Sequence, residues 1–143
     1  MKIYIGCDHR GLKLKEKLIE YLEGQGISPI DVGAKQYDEK DDFNKYARAL
    51  CKKVQSSRDS RGILICGSGV GMCMQANRFK GIRAVNGDSR DIVRTSRRHN
   101  DANVLTLGAD FVSPTNAMIR TATFITTRFE GGHYQHRVDA LDD

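Results

Sequence analysis

The sequence predicts a single α/β domain built on a five-stranded parallel sheet with helices on both faces. Three observations predict it. The chain has 143 residues, enough to bury one core without disulfides or metal and short for two. Five short β-branched or apolar runs are each followed by a longer segment with helical periodicity, and together they cover the chain to about residue 129. No internal repeat, low-complexity tract or Pro/Gly linker marks a domain boundary.

The first strand is KIYIG (2–6), and Leu14, Leu18 and Leu22 behind it repeat at i, i+4 and i+8, one apolar helix stripe. The second is SPIDV (28–32), followed by the polar, turn-rich GAKQYDEKDD (33–42), a surface loop. Phe43, Tyr46, Ala47, Leu50, Cys51 and Val54 then trace a fuller helical face. The third strand, GILIC (62–66), breaks into alternating glycines. The fourth is IRAVN (82–86), and the helix after it ends in Arg97-Arg98-His99-Asn100, cations facing the helix dipole and Asn100 suited to a left-handed cap. NVLTLG (103–108) is the fifth strand, and Met118, Ala122, Ile125 and Phe129 mark the face of the last helix. The tail EGGHYQHRVDALDD (130–143) mixes a Gly pair and polar residues with Tyr134, Val138 and Leu141; it is either a frayed terminus or a segment docked on another subunit.

Apolar residues at 39% and charged residues at 29% fit a globular protein. The opening apolar stretch of MKIYIGCDHR is too short for a secretory signal, and nowhere do about 18 apolar residues run together, so a cytoplasmic protein without a membrane partner is expected. Cys7, Cys51, Cys66 and Cys73 lack paired CxxC spacing; they are expected to be thiols, with no metal site. The formal charge of +5 suits an anionic partner, whether a small phosphate or a nucleic acid.

In an open parallel sheet, ligands bind beyond the carboxyl ends of the strands. Cys7-Asp8-His9 follows the first strand there, and Cys66-Gly67-Ser68-Gly69-Val70-Gly71 the third. The glycine run is neither GxGxxG nor a P-loop, so nucleotide binding is not supported. It does provide a turn with little side-chain bulk, letting backbone N–H groups converge on a phosphate or a developing oxyanion at the positive end of a helix. Cys66 at its edge has two readings: a small buried residue, or a thiolate favoured by the helix N-terminus and able to act as base or nucleophile. Cys7, Cys51 and Cys73 belong to the first. Asp8 suits an Asx turn or N-cap as well as a site, while His9 has no such structural role. His99 leans toward the site, and the cap assigned to Asn100 leaves room for a second role.

Taken together, GCDHRG (6–11), ICGSGVG (65–71), GIRAV (81–85), RHNDANVL (98–105) and FEGGHYQHRV (129–138) resemble the type B ribose 5-phosphate isomerases and their galactose 6-phosphate isomerase relatives, in register along nearly the whole chain. The resemblance implies a three-layer Rossmann-like fold with strand order 2-1-3-5-4. It implies a homodimer with shared active sites and leaves open whether dimers pair into tetramers. It also implies aldose–ketose isomerisation in the pentose phosphate pathway without metal or organic cofactor. By the same resemblance Cys66 is the base that moves a proton between C1 and C2 through a cis-enediol, and amides of Gly67, Gly69, Val70 and Gly71 hold its oxyanion. Asp8 and Ser68 contact the sugar and help open or hold the ring, His99 opens it, Asn100 binds substrate, and His9 and Arg137 hold the phosphate. Retention of His99 and Asn100 favours ribose 5-phosphate over galactose 6-phosphate.

Two positions depart from the family pattern. His133 stands where EGGR has Arg, and Leu107-Gly108-Ala109-Asp110 stands where LGxR is common. Both missing arginines resemble phosphate contacts, for which His133, His136 and Arg10 are candidate replacements. Asn44 also occupies a position where proline is frequent. The altered pocket keeps two alternatives in view: an isomerase of another phosphosugar, such as allose 6-phosphate or galactose 6-phosphate, and a non-catalytic relative binding a phosphosugar or nucleic acid. For the last, Arg90, Arg94, Arg97 and Arg98 would form the basic face, though such a charge run is usually just solvated. No nucleic-acid partner is expected.

Overall fold

The structure, a computed structural model, describes residues 1–143. Five strands, β1 (Lys2–Cys7), β2 (Ile30–Asp31), β3 (Ser60–Cys66), β4 (Ala84–Asn86) and β5 (Val104–Gly108), form one parallel sheet in the order β2-β1-β3-β5-β4. The helices are α1 (Leu12–Gly24), α2 (Phe43–Gln55), α3 (Val70–Ala76), α4 (Arg90–Asn100), α5 (Pro114–Thr126) and the short α6 (Gln135–Asp139). Residues alternate in direction along each strand, so the sheet feeds two cores. Ile3, Ile5, Ile63, Ile65, Leu105 and Leu107 pack under α1, α4 and α5, against Leu14, Leu18, Leu22, Val93 and Phe124. Tyr4, Leu64, Cys66 and Val104 pack under α2 and α3, against Leu50, Cys51, Val54 and Met72. No helix is long and apolar enough to cross a membrane.

Several expectations change in detail. β2 is Ile30–Asp31 rather than 28–32; Pro29, with no N–H to add to the ladder, directly precedes it. The fully buried residues of α5 are Ala117, Thr121, Thr123 and Phe124, with Met118 and Ile125 half-buried against the same core; Ser113 caps the helix, Pro114 fixes its first turn, and it ends before Phe129. The left-handed cap of α4 falls on Asp101 (φ 48°), not on Asn100, because arginines Arg83 and Arg97 pin the Asp101 carboxylate at 2.9 and 2.8 Å. The polar loop 33–42 is not all surface: Ala34 is buried and the Asp41 carboxylate faces inward. The four arginines form no single basic face. Arg97 is buried, bonded to Asp101 and to the Ala102 and Thr127 carbonyls, while Arg98 pairs with Glu130 and Arg94 with Asp91. The tail is helical but exposed, tied back by the Gly81 N–H donating to Asp142 at 2.7 Å and by the Glu130 N–H donating to the Arg98 carbonyl at 3.0 Å.

Candidate active site

At the carboxyl edge of the sheet, β1 and β3 are neighbours, so the residues that follow them meet. Asp8 is buried and caps the 3-10 turn His9–Gly11, its Oδ1 accepting from the Arg10 and Gly11 N–H groups at 3.0 and 3.3 Å. Burial raises its carboxyl above the ordinary range, and the two N–H bonds offset part of that rise. The capping and site roles of Asp8 are therefore compatible.

His9 does have a structural partner. Its Nδ1 lies 2.6 Å from Asp41 Oδ1, and the same oxygen accepts the His9 backbone N–H at 3.2 Å. A carboxylate only accepts, so Nδ1 carries the proton and Nε2 is the free ring nitrogen. Donation of this hydrogen bond to the Asp41 carboxylate pushes the His9 pKa above its ordinary value. Tyr46 donates to the other Asp41 oxygen at 3.1 Å, and the Tyr37 ring meets His9 edge-on at 5.5 Å. Asp41 carries no local signal in the sequence, being one of several acids in a polar loop 32 residues from its partner. Asp8, His9 and Asp41 also place three ligand-type atoms close together, but the two N–H bonds to Asp8 and the imidazole–carboxylate pairing account for them without an ion.

Cys66 ends β3 and points into the α2–α3 core, almost wholly buried. Burial pushes the two other core thiols, Cys7 and Cys51, up to about 12. The Cys66 sulfur accepts the Gly69 N–H at 3.1 Å, a bond that strengthens when the sulfur is a thiolate. Gly69 has φ +78°, and a Cβ there would stand 2.6 Å from Asn86 Oδ1, so only glycine holds the turn in this position. The turn is clamped to the β5 loop: the Ala109 N–H donates to the Cys66 carbonyl at 2.8 Å and the Asp110 N–H to the Gly67 carbonyl at 3.0 Å.

The loop amides do not act as one set. Gly69 donates to Cys66, and Val70 donates to the Ser68 hydroxyl at 3.2 Å, whereas Gly67 and Ser68 keep N–H groups without a partner in the chain. The first-turn amides of α3, including Gly71, have no carbonyl of their own helix to reach. The Gly69 and Val70 N–H groups are thus engaged within the turn itself.

Four further predicted residues lie elsewhere in the same chain. α4 starts beyond the carboxyl end of β4 and runs back, so His99 and Asn100 sit beside the start of β5, at the amino edge. Asn100 shares a cavity there with Arg83, Ala84 and Leu141. Tyr134 stacks on His99 with centroids 4.3 Å apart, His133 lies 4.0 Å from Tyr134, and the Arg137 guanidinium lies 6.0 Å from the same ring. Glu130 is 3.8 Å from His99 Nε2. The five residues of β5, at about 3.3 Å each, put roughly 15 Å between this cluster and Cys66. Tyr134 and Glu130 were legible only as parts of the tail motif; their contacts with His99 close over more than 30 residues.

Residues 3–141 match the family model described as Ribose/Galactose Isomerase. The chain belongs to the ribose/galactose isomerase family. Within that family, the chain is 43% identical over 139 residues to a probable ribose-5-phosphate isomerase B of Mycoplasma pneumoniae, covering 97% of this chain and 91% of the relative. It is 39% identical over 140 residues to the ribose-5-phosphate isomerase B of Escherichia coli, covering 98% and 93%. Its structure superposes with a TM-score of 0.94 on the Mycoplasma genitalium ribose-5-phosphate isomerase B solved with bound ribulose-5-phosphate, at 38% identity and coverage of 98% and 93%. The sheet order of this isomerase-family chain is the one its sequence motifs imply.

Proposed function

We propose that this chain is an isomerase interconverting ribose 5-phosphate and ribulose 5-phosphate, with Cys66 as the base. The observation that carries the reading is the Gly69 N–H held 3.1 Å from the Cys66 sulfur, in a turn adjoining Asp8 and His9. Once the sugar ring opens, the thiolate removes the proton from C2 while the aldehyde oxygen takes up a proton, giving a cis-enediol. Loss of the O2 proton and return of a proton to C1 give the ketose. The free amides of Gly67 and Ser68 are donors for the enediolate oxygen, fixed before the reaction begins. Asp8, the Ser68 hydroxyl and His99 are the groups for ring opening, Asn100 binds the sugar, and His9, His133 and Arg137 hold the phosphate. The route needs neither metal nor organic cofactor.

The split between the sheet edges makes a second copy part of the same reading. His99, Asn100, His133 and Arg137 of one subunit would complete the Cys66 site of its partner, with residues 130–143 docking at that interface. Exposed apolar side chains near the Cys66 edge, Val70, Met74 and Phe111, are the surface such a partner would cover. Whether dimers pair further depends on surfaces outside this site. The chain carries out its chemistry as one domain in the cytoplasm in this reading.

Asp110 and His133 favour one alternative, a different phosphosugar. Turnover in EDTA with ribose 5-phosphate and allose 6-phosphate separates the two: the expected result is a higher kcat/KM for ribose 5-phosphate, and a clear preference for the hexose would replace it.

A further inference from the structure

Arg10 and Asp110 are 100 residues apart in sequence and meet over the turn that carries Cys66. Arg10 Nη2 donates to Asp110 Oδ2, and both side chains are about half exposed. A Cβ on Gly67 would stand 2.7 Å from Arg10 Nε, 3.0 Å from Asp110 Oδ2 and 3.1 Å from Arg10 Cδ. The missing side chain at position 67 is what lets the ion pair lie against the turn. An exposed ion pair adds little to folding, so stability does not account for that arrangement.

The pair borders a cavity of about 540 Å³ lined by His9, Arg10, Leu12, Lys13, Tyr37 and Asp110. Its lining is unbalanced in charge. Arg10 and Lys13 are fixed cations, and His9 turns its free nitrogen away from Asp41. The only lining carboxylate, Asp110, is already engaged with Arg10. The remaining N–H donors of the Arg10 guanidinium have no partner in the chain, which leaves part of its planar fork for an oxyanion.

We propose that Arg10 is a further guanidinium, beside Arg137 of the phosphate set above, that recognises the phosphate monoester of the substrate, and that Asp110 is a positioning residue that aims it across Gly67. Lys13 adds a second charge at the mouth of the cavity. The proposal rests on the phosphosugar reading above. Asp110 acts through its oxygen: an amide there still accepts from Arg10, whereas alanine releases it.

Titration of inorganic phosphate followed by ³¹P NMR, on the intact wild type and on Arg10→Ala, Asp110→Ala and Asp110→Asn, tests this independently of turnover. Michaelis parameters with ribose 5-phosphate are measured alongside, and circular dichroism checks folding. Arg10→Ala is expected to weaken phosphate binding about tenfold or more and to raise KM by a similar factor, with kcat changing much less. Asp110→Ala is expected to move KM in the same direction, and Asp110→Asn to restore it. Equal phosphate affinity in wild type and Arg10→Ala, including no binding to either, overturns the proposal. So does a loss confined to kcat, which would make the pair a brace for the turn. Turnover of ribose 5-phosphate with an unchanged KM in Arg10→Ala would sink Arg10 and leave the isomerase standing. Phosphate binding lost in Arg10→Ala, in a protein that does not turn over ribose 5-phosphate, would do the reverse.

Discussion

His9 shows how one contact sets the chemistry of a residue. The Asp41 carboxylate 2.6 Å from Nδ1 stabilises the imidazolium, so the His9 pKa is raised above 6.5. The sign follows: the pair contributes fully to stability below about pH 6.5 and loses that contribution as pH rises through the raised value. An NMR titration should show His9 titrating above 6.5 in wild type and falling back toward it in Asp41→Asn; identical titrations would mean the pair does not form in solution. His9 itself was legible as a functional candidate because nothing in GCDHRG calls for a histidine on structural grounds. Asp41 was not, since no local pattern separates it from Asp38, Glu39 and Asp42. Cys66 was legible as a question, and the Gly69 N–H on its sulfur is the contact that favours the chemical reading.

Among the elements, β2 is the one that depends on something besides its ladder. It pairs with β1 at only two positions, Tyr4 with Ile30 and Ile5 with Asp31. Lys15, on α1 and almost fully buried, reaches across to it, donating to Asp31 Oδ2 at 2.8 Å and to the Ala34 carbonyl. Burial alone would raise the Asp31 carboxyl; bonds from Lys15, Lys35 and the Gly33 N–H outweigh it, and the pKa ends below 3.8. That contribution is present above pH 3.8 and fades as pH falls through the lowered value. Lys15→Met should cost about 2 kcal/mol in urea unfolding at pH 7, a charged hydrogen bond lost with the Ala34 carbonyl left unpaired. A change within about 0.5 kcal/mol, typical of a surface position, would show that the latch is dispensable. Periodicity placed α1 and α2 correctly because each has one strong stripe. On α5 it marked the flank of the buried face, where Met118 and Ile125 pack half-buried beside Ala117, Thr121 and Phe124. A lysine at position 15 in an apolar stripe is a polar intrusion the pattern cannot explain without Asp31.

For the molecule as a whole, the topology separates residues that the proposed reaction brings together. α4 must return to start β5, and this carries His99 and Asn100 about the length of the sheet away from Cys66. The strand order was legible through the family motifs, whereas the division of the site between edges needs the crossover geometry. If each site is completed by a second copy, Cys66→Ala and His99→Ala proteins are inactive apart and complement when mixed. Random exchange makes half the dimers mixed, each with one intact site, so about a quarter of wild-type activity should return. No recovery after verified exchange would place the whole site in one chain. The central claim is that Cys66 is the base, and the most direct test is ribose 5-phosphate turnover in EDTA by wild type and Cys66→Ala. Wild type should be active, and the variant should keep its fold and bind substrate but lose at least about a hundredfold in kcat. A Cys66→Ala protein with near wild-type kcat would contradict it.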